Sequence, residues 1–263
     1  MKTALVLLMA LALVGCEEEL TVAQICKEKP GFCSDLNEDS HCNIQRREVI
    51  FERYAEAKLP SDVNKHKLLI GFEKYSKCIE LAAGIEHIKL KEKTTSRVNG
   101  YLTSLEQIKR LTEETASSDD PNLLYFHWSR HQSQAHLEKF LAAEKAGKLE
   151  TPELQLALAS YYMKRDLDKT INILHHALSL SAPTGKIDPE IYTILTTIYY
   201  KQRHFSLSFH WALLAENAGI ERIEFALIRK ELHQKQLDVD KIEQQAEQTI
   251  SMLEQGKFVA PEL

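Results

Sequence analysis

The chain has 263 residues, of which 44% are hydrophobic and 27% are charged, and its formal net charge is -5. This composition is ordinary for a globular protein and permits one large domain or two small ones. It argues against a nucleic-acid-binding protein, because the sequence contains no polybasic block.

The N-terminus carries the one long apolar run of the chain, from Ala4 to Val14, directly after Met1-Lys2. As a helix this run rises about 17 Å, which is much less than the hydrocarbon core of roughly 30 Å that a membrane span must cross. A short apolar run behind a positive residue is typical of a secretory signal. We therefore predict that residues 1–15 are a signal peptide.

The apolar run ends in the stretch LVGC (residues 13–16), followed by three glutamates. This stretch resembles the bacterial lipobox, in which small residues precede a cysteine, although an ordinary signal peptide with a chance cysteine is the alternative. The resemblance implies cleavage before Cys16 and acylation of both its thiol and its new amine, which would anchor the chain stably. An aspartate directly after the lipidated cysteine would resemble an inner-membrane retention signal, but this chain has Glu17 there. This difference favours the periplasmic face of the outer membrane. Residues 16–25 are interpreted as a short tether.

Four further cysteines lie in the first third of the chain: Cys26, Cys33, Cys42 and Cys78. An even number of cysteines in an exported chain predicts two disulfides, and the sequence does not choose among the three possible pairings. The alternative is a zinc site, but the spacings contain no Cys-x-x-Cys pair.

Helical signals dominate the region that we assign to residues 26–150, after a turn-rich stretch between Cys26 and Cys42. Apolar residues recur there at helical spacing, and no segment shows the sustained alternation of a strand. The predicted stripes are Val49, Ile50 and Tyr54; Leu68, Phe72, Tyr75, Ile79 and Ala82; Val98, Leu102, Leu105, Ile108 and Leu111; and Leu124, Trp128, Leu137, Phe140 and Leu141. We therefore predict an all-α fold with a disulfide-stapled N-terminal segment.

The remaining region, residues 151–263, contains an internal repeat at an offset of 38 residues. The segment YYMKRDLDKTINILHHALSL (161–180) aligns without a gap with YYKQRHFSLSFHWALLAENA (199–218). The paired tyrosines and the late alanine resemble the tetratricopeptide repeat, which implies helical hairpins stacked in a right-handed array. Arg165 and Arg203 depart from the family at the turn, so plain helical hairpins are the alternative. Segments 221–237 and 239–256 are predicted to add a third, degenerate hairpin.

The resemblance to tetratricopeptide repeats also implies a concave groove lined by the first helix of each hairpin. The corresponding positions in this chain are Gln155, Ala159, Tyr162, Met163, Thr193, Thr197, Tyr200 and Lys201. Tyrosines and a methionine can anchor a helix or an extended peptide of a partner protein. Where the family has the Lys and Asn residues that bind a chain-terminal carboxylate, this chain has Gln155, Ala159, Thr193 and Thr197, so such a carboxylate is not an obvious ligand. The alternative is that the tyrosines are simply buried.

No catalytic motif is evident in the sequence, which lacks a Gly-x-Ser-x-Gly elbow, a Walker loop and a Gly-x-Gly-x-x-Gly turn. The stretch from Asp35 to Ser40 begins like a calcium loop, but Arg46 stands where such a loop has its bidentate glutamate. An Asp/Asn-rich turn is the favoured alternative. His127 and His131 flank Trp128, which predicts packing rather than metal binding. We therefore expect no catalysis, no cofactor and no metal.

Taken whole, the lipobox, the stretch ICKEKPGFCSDLNEDSHC (25–42) and the helical remainder resemble a family of uncharacterised bacterial envelope lipoproteins with a domain of unknown function. The resemblance brings no activity and no catalytic residues. We expect a membrane-anchored, periplasm-facing scaffold that binds an envelope protein or peptide through its repeats. The alternative is an envelope enzyme or ligand carrier with a pocket between the N-terminal and repeat regions.

Overall fold

The computed structural model describes residues 20–86 and 89–263. Over these ranges the chain forms twelve α-helices and two short 3-10 turns and contains no strand, which confirms the predicted all-α class. None of the helices in these ranges is both long and apolar enough to cross a bilayer. The predicted signal peptide and the predicted lipidation site Cys16 lie outside the described residues.

The chain divides into two compact units, one ending at Asp120 and the other running from Pro121 to Leu263. The division falls at the loop that precedes Pro121, whereas the sequence placed the boundary at residue 150. The helices of the first unit are α1 (Val22–Glu28), α2 (Asn43–Lys58), α3 (Asp62–Ala83) and α4 (Lys91–Glu114). Helix α1 begins at Val22, inside the predicted tether of residues 16–25.

Polar side chains cap the N-termini of two of these helices. Thr21 and Gln24 form a capping box at α1, in which Gln24 Oε1 accepts from the Thr21 amide at 2.7 Å and the Thr21 hydroxyl accepts from the Gln24 amide at 3.2 Å. Ser61 caps α3 by accepting from the Asn64 amide at 3.2 Å. These bonds satisfy backbone donors that have no partner within the helix, so they fix where each helix begins.

Both predicted disulfides are present, and the structure decides the pairing that the sequence left open. Cys26 of α1 is bonded to Cys33, which follows the 3-10 turn Pro30–Phe32, and Cys42 is bonded to Cys78 of α3. The second bond joins the residue before α2 to the C-terminal part of α3. The segment between Cys33 and Cys42 is therefore held at both ends.

Helix α4 buries a face that the apolar stripe did not predict. Its buried positions are Arg97, Gly100, Ser104 and Leu111. Of the predicted stripe, Leu111 is buried, but Val98, Leu102 and Leu105 are 38%, 51% and 43% exposed. Small residues on the buried face let α4 approach α3 closely, because a Cβ at position 100 would collide with the Tyr75 hydroxyl.

The second unit is built from helical hairpins. Its helices are α5 (Pro121–His131), α6 (Gln134–Lys145), α7 (Pro152–Tyr162), α8 (Leu167–Ser181), α9 (Glu190–Lys201), α10 (Phe205–Asn217), α11 (Phe225–Gln234) and α12 (Val239–Glu254). Helices α5 and α6, α7 and α8, and α9 and α10 pack as pairs, while α10 also packs against α11 and α12. A second 3-10 turn, Ala182–Thr184, follows α8.

The two copies of the 38-residue pattern form the hairpins α7–α8 and α9–α10. The aligned alanines of α8 and α10, Ala177 and Ala215, are buried, as are the aligned Ile171 and Phe209. Arg203, two residues after the end of α9, takes a left-handed backbone conformation with φ of +63°. Each copy therefore folds as a helical hairpin with a small residue in its core.

Candidate functional site

A groove lies between α9, the first helix of the hairpin α9–α10, and helix α11, and its volume is about 280 Å³. The lining residues are Thr193, Thr196, Thr197, Tyr200, Lys201, Arg222, Ile223, Glu224, Leu227 and Ile228. The groove therefore combines an apolar surface with charged side chains from α9 and from the segment that precedes α11.

The groove wall from α9 is less polar than its sequence suggests, and the opposite wall is apolar. The hydroxyls of Thr193, Thr196 and Thr197 each donate to a backbone carbonyl of α9, at 2.8 to 2.9 Å. Because their donors are used within the helix, these threonines offer methyl groups and hydroxyl lone pairs rather than free O–H groups. On the opposite wall Ile228 is 3% exposed, whereas Leu227 is 51% exposed and is available to a partner.

Four of the eight predicted binding residues line this groove, namely Thr193, Thr197, Tyr200 and Lys201. All four come from the second copy of the repeat. The four from the first copy lie elsewhere, as the following contacts show.

The predicted residues of α7 are engaged within the second unit. Gln155 is 6% exposed and donates through Nε2 to the Leu149 carbonyl at 2.8 Å. Ala159 is fully buried in a core cluster that includes side chains of α5, α6 and α8. Tyr162 donates to Glu144 at 2.9 Å, and Met163 follows the end of α7, half-buried. Equivalent sequence positions thus have different surroundings, because α7 is packed against a preceding hairpin.

A second, more polar cleft lies among α6, α7 and α8, with a volume of about 310 Å³. It is lined by Glu144, Leu149, Glu150, Gln155, Leu158, Lys169, Asn172, Ile173 and His176. Two ion pairs meet there: Lys169 Nζ lies 2.7 Å from Glu144 Oε1, and His176 Nε2 lies 2.7 Å from Glu150 Oε2. No sequence motif indicates this cluster, because its members are spread over more than thirty positions.

The electrostatics of the Glu144 ion pair involve Tyr162 as well. The Lys169 ammonium lies 3.8 Å from the centre of the Tyr162 ring. Burial opposes the charged form of Lys169, but the hydrogen bonds to Glu144 and Tyr162 outweigh it and raise the pKa of the ammonium. Burial, together with the Glu144 carboxylate, raises the pKa of the Tyr162 hydroxyl. The cluster is a preformed arrangement of carboxylate, ammonium and phenol.

In the stretch that begins like a calcium loop, residues 35–40 of the first unit, two carboxylates accept hydrogen bonds from arginines. Asp35 accepts two hydrogen bonds from Arg53, at 2.6 and 2.7 Å, and Asp39 accepts from Arg97 Nε at 2.6 Å. Burial opposes ionisation of Asp39, but hydrogen bonds from Asn37 and Arg97 outweigh it and lower the pKa of this carboxyl. Over residues 20–86 and 89–263, no group of three or more His, Cys, Asp or Glu side chains could hold a metal ion.

The chain is thus an all-helical protein with two disulfides in its first unit and helical hairpins in its second. Residues 13–213 match the family described as "Protein of unknown function (DUF2989)", and the chain belongs to this family. No curated protein and no solved structure matches the chain. The match covers α9 but ends within α10, so the α11 wall of the groove lies beyond it.

Proposed function

We propose that this protein is an exported lipoprotein, anchored through Cys16, whose second unit binds an envelope protein or peptide in the groove between α9 and α11. The observation that carries the proposal is the groove itself, in which Tyr200 and Leu227 stand among charged residues. The protein would act as an interaction scaffold on the periplasmic face of the outer membrane, and catalysis is not part of this role.

The hairpin architecture supports a groove of this kind. Helices α7 and α8 and helices α9 and α10 pack as successive hairpins, and α11 packs against α10. In tetratricopeptide arrays, which the sequence resembles, the first helices of successive hairpins form the binding surface. The groove between α9 and α11 corresponds to that surface, and a right-handed array of these hairpins is part of the proposal.

The disulfides support location outside the cytosol. Cys26–Cys33 and Cys42–Cys78 both lie in the first unit. Structural disulfides form and persist in oxidising compartments such as the bacterial periplasm and are rare in the cytosol. This agrees with export directed by residues 1–15.

Exposed apolar side chains in the groove supply a reason for binding. Leu227 is 51% exposed, so burying the rest of its surface contributes roughly half of the 1.5 to 3 kcal/mol that a fully exposed side chain would give. Lys201 of α9, together with Arg222 and Glu224 of the segment before α11, would fix the orientation of a partner rather than supply most of its affinity.

The groove can be tested by site-specific photo-crosslinking in intact cells. A photoreactive residue at Leu227 should capture a defined partner, and Tyr200→Ala in the same chain should reduce that adduct at least tenfold. Leu102 is the matched control, because it is also 51% exposed but lies in the first unit. The proposal is wrong if the Leu102 and Leu227 probes give the same adducts, or if Tyr200→Ala leaves the Leu227 adduct unchanged.

The anchor is tested separately by mass spectrometry of the mature N-terminus. The expected peptide begins at residue 16 and carries acyl chains, and Cys16→Ser should release the protein from the membrane fraction. A mature product that retains residues 1–15 would contradict export by this route, whatever the groove binds.

A second candidate function, a carrier or enzyme for envelope glycans or peptides, is favoured by the polar cleft around Glu144 and Lys169. Residues from before and after position 150, the predicted boundary between the N-terminal and repeat regions, line this cleft. They include two carboxylates, an ammonium and an imidazole. Soluble peptidoglycan fragments should then raise the Tm of the wild-type protein, and Lys169→Ala should abolish the shift. Lys201→Ala, in the α9–α11 groove, is the control that should keep it; no shift with any fragment would remove this candidate.

A further inference from the structure

Two histidines of the second unit lie against a buried tryptophan. His210 and Trp211 of α10 are fully buried, and His175 of α8 is half-buried. The Trp211 ring centre lies 5.6 Å from that of His175 and 5.2 Å from that of His210. In the described part of the chain, both ring nitrogens of His210, Nε2 of His175 and Nε1 of Trp211 are buried without a hydrogen-bond partner.

The chain after α12 closes over this cluster. We name residues 256–263 the C-terminal strap. The ring of Phe258 lies 5.5 Å from that of His175 and 6.3 Å from that of Trp211. Gln245 of α12 donates to the Glu262 carbonyl at 3.5 Å, so the strap runs back along α12. The strap therefore forms part of the cover over His175.

The strap is held by few contacts. Apart from Phe258, its apolar side chains Val259 and Leu263 are 60% and 37% exposed. It turns at Gly256, where φ is +76°, and a Cβ there would lie 3.5 Å from Pro183 Cα in the second 3-10 turn. The amides of Gly256 and Lys257 donate to the Leu253 and Met252 carbonyls at 3.0 and 2.9 Å. Beyond these two residues the strap is held by one aromatic anchor and a long hydrogen bond, so it opens at a lower free energy than the helices beneath it.

The surroundings of the two imidazoles do not favour a positive charge. Burial lowers the pKa of His175 to about 4 and, together with the charge of His175, lowers that of His210 to about 4. The titratable group of α9 at the cluster is Tyr192, whose ring stacks 6.1 Å from Trp211 and whose pKa burial raises to about 12, so it stays neutral. Among the described residues of α8 to α12 and the strap, no carboxylate contributes to the pKa of either imidazole.

We propose that the C-terminal strap is an acid-released cover: protonation of His175, reinforced by His210, expels Phe258 and exposes the surface of α8, α10 and α12 beneath it. Opening at the strap hydrates the His175 ring without unfolding the hairpins, which makes it the easiest route by which the cluster can accept a proton. This inference does not depend on the α9–α11 groove or on its partner.

The direction of the pH dependence follows from the two states of His175. The imidazole is neutral in the closed state down to about pH 4, while in the open state it regains an ordinary pKa near 6.5. Closure is therefore fully stable above about pH 6.5 and is lost as the pH falls from there towards 4. Between pH 7.5 and pH 5.0 the ratio of open to closed strap should rise about 30-fold for this one histidine.

Fluorine NMR of the full chain with 4-fluorophenylalanine at position 258 measures this ratio directly. We expect a buried resonance at pH 7.5 and a growing solvent-exposed resonance at pH 5.0, with helical circular dichroism unchanged. His175→Phe should remove the pH response, because it keeps a ring but cannot be protonated. His176→Phe is the matched control, since the neighbouring His176 is exposed and paired with Glu150, and it should keep the response.

Three results would overturn the proposal. One is a Phe258 resonance that does not change between pH 7.5 and pH 5.0. Another is a response that persists in His175→Phe. The third is loss of helical signal at the same pH as strap release, which would mean global unfolding. Should the histidine variants fold poorly, Phe258→Ala provides a second measurement. Trp128→Phe is added so that Trp211 is the one tryptophan left. In this background, the Trp211 fluorescence of Phe258→Ala at pH 7.5 should already be as quenched as that of the chain with Phe258 in acid.

Discussion

At the scale of single residues, the first unit depends on a buried polar network at the disulfide-held segment. Arg97 is 2% exposed and donates to Asp39 at 2.6 Å and to the Ala82 carbonyl at 3.1 Å. Tyr75 donates to Asn37 Oδ1 at 2.8 Å and accepts from the Asn37 amide at 3.0 Å. These bonds tie the segment before α2 to α3 and α4. A buried charge of this kind is tolerated only while its partners remain.

Gly100→Ala tests how closely α4 approaches this network. A Cβ at position 100 would collide with the Tyr75 hydroxyl and lie 3.1 Å from the Asn37 amide nitrogen. Overpacking of this kind should lower the free energy of unfolding by about 1 to 3 kcal/mol in urea titrations. Gly84→Ala is the control, because its φ of -71° suits alanine, and it should be neutral or slightly stabilising. Equal effects of the two substitutions would show that the α3–α4 contact is looser than described.

At the scale of secondary-structure elements, the two disulfides constrain very different lengths of chain. Cys26–Cys33 closes a separation of 7 residues, whereas Cys42–Cys78 closes one of 36 and joins the start of α2 to α3. The sequence predicted two disulfides from the even cysteine count. It did not predict their pairing, because pairing depends on which cysteines the packing of α1, α2 and α3 brings together.

The longer disulfide should stabilise the first unit more. In the chain-entropy model, a closed loop of 36 residues contributes about 4 kcal/mol and one of 7 residues about 2 kcal/mol. Urea unfolding of the Cys42→Ser/Cys78→Ser and Cys26→Ser/Cys33→Ser variants should therefore give a larger loss for the first. The reverse order would indicate that native-state contacts near Cys26 dominate.

Helix α4 gives a second prediction at the scale of elements. Leu111 is fully buried, whereas Leu102 of the same sequence stripe is 51% exposed. Leu111→Ala should therefore lower the free energy of unfolding by about 2 to 5 kcal/mol, and Leu102→Ala should change it by less than about 0.5 kcal/mol. Thermal and urea unfolding of the two variants would measure this contrast. A large loss for Leu102→Ala would mean that its side chain is covered in solution.

At the scale of the whole molecule, the two units differ in their covalent constraints. The described disulfides lie in the unit that ends at Asp120. The unit from Pro121 to Leu263 contains the repeated hairpins, the α9–α11 groove, the polar cleft and the strap. The proposed binding function and the proposed acid response are therefore both located in the unit without these disulfides.

Reduction of the disulfides should change hydrogen exchange in the first unit and leave it unchanged in the second. Added dithiothreitol should accelerate exchange in peptides from α2 and α3, because the unfolded first unit gains conformational entropy. Peptides from α9 and α10 should keep their protection. Equal acceleration in both sets would show that the second unit needs an oxidised first unit to remain folded.

The sequence by itself determined the all-helical class, because its apolar residues recur with the period of a helix, and the presence of two disulfides, because four cysteines share the first third of the chain. It also located the hairpins through the 38-residue offset. Only the tertiary structure decided which copies of a repeated position are accessible: Ala159 is buried and Thr197 is exposed, although the two positions align. The physical reason is that periodicity records which residues share a helix face, whereas burial depends on the neighbouring element that packs there. For the same reason the cluster of His175, His210 and Phe258 could not be predicted from the sequence, since its members come from three separate segments.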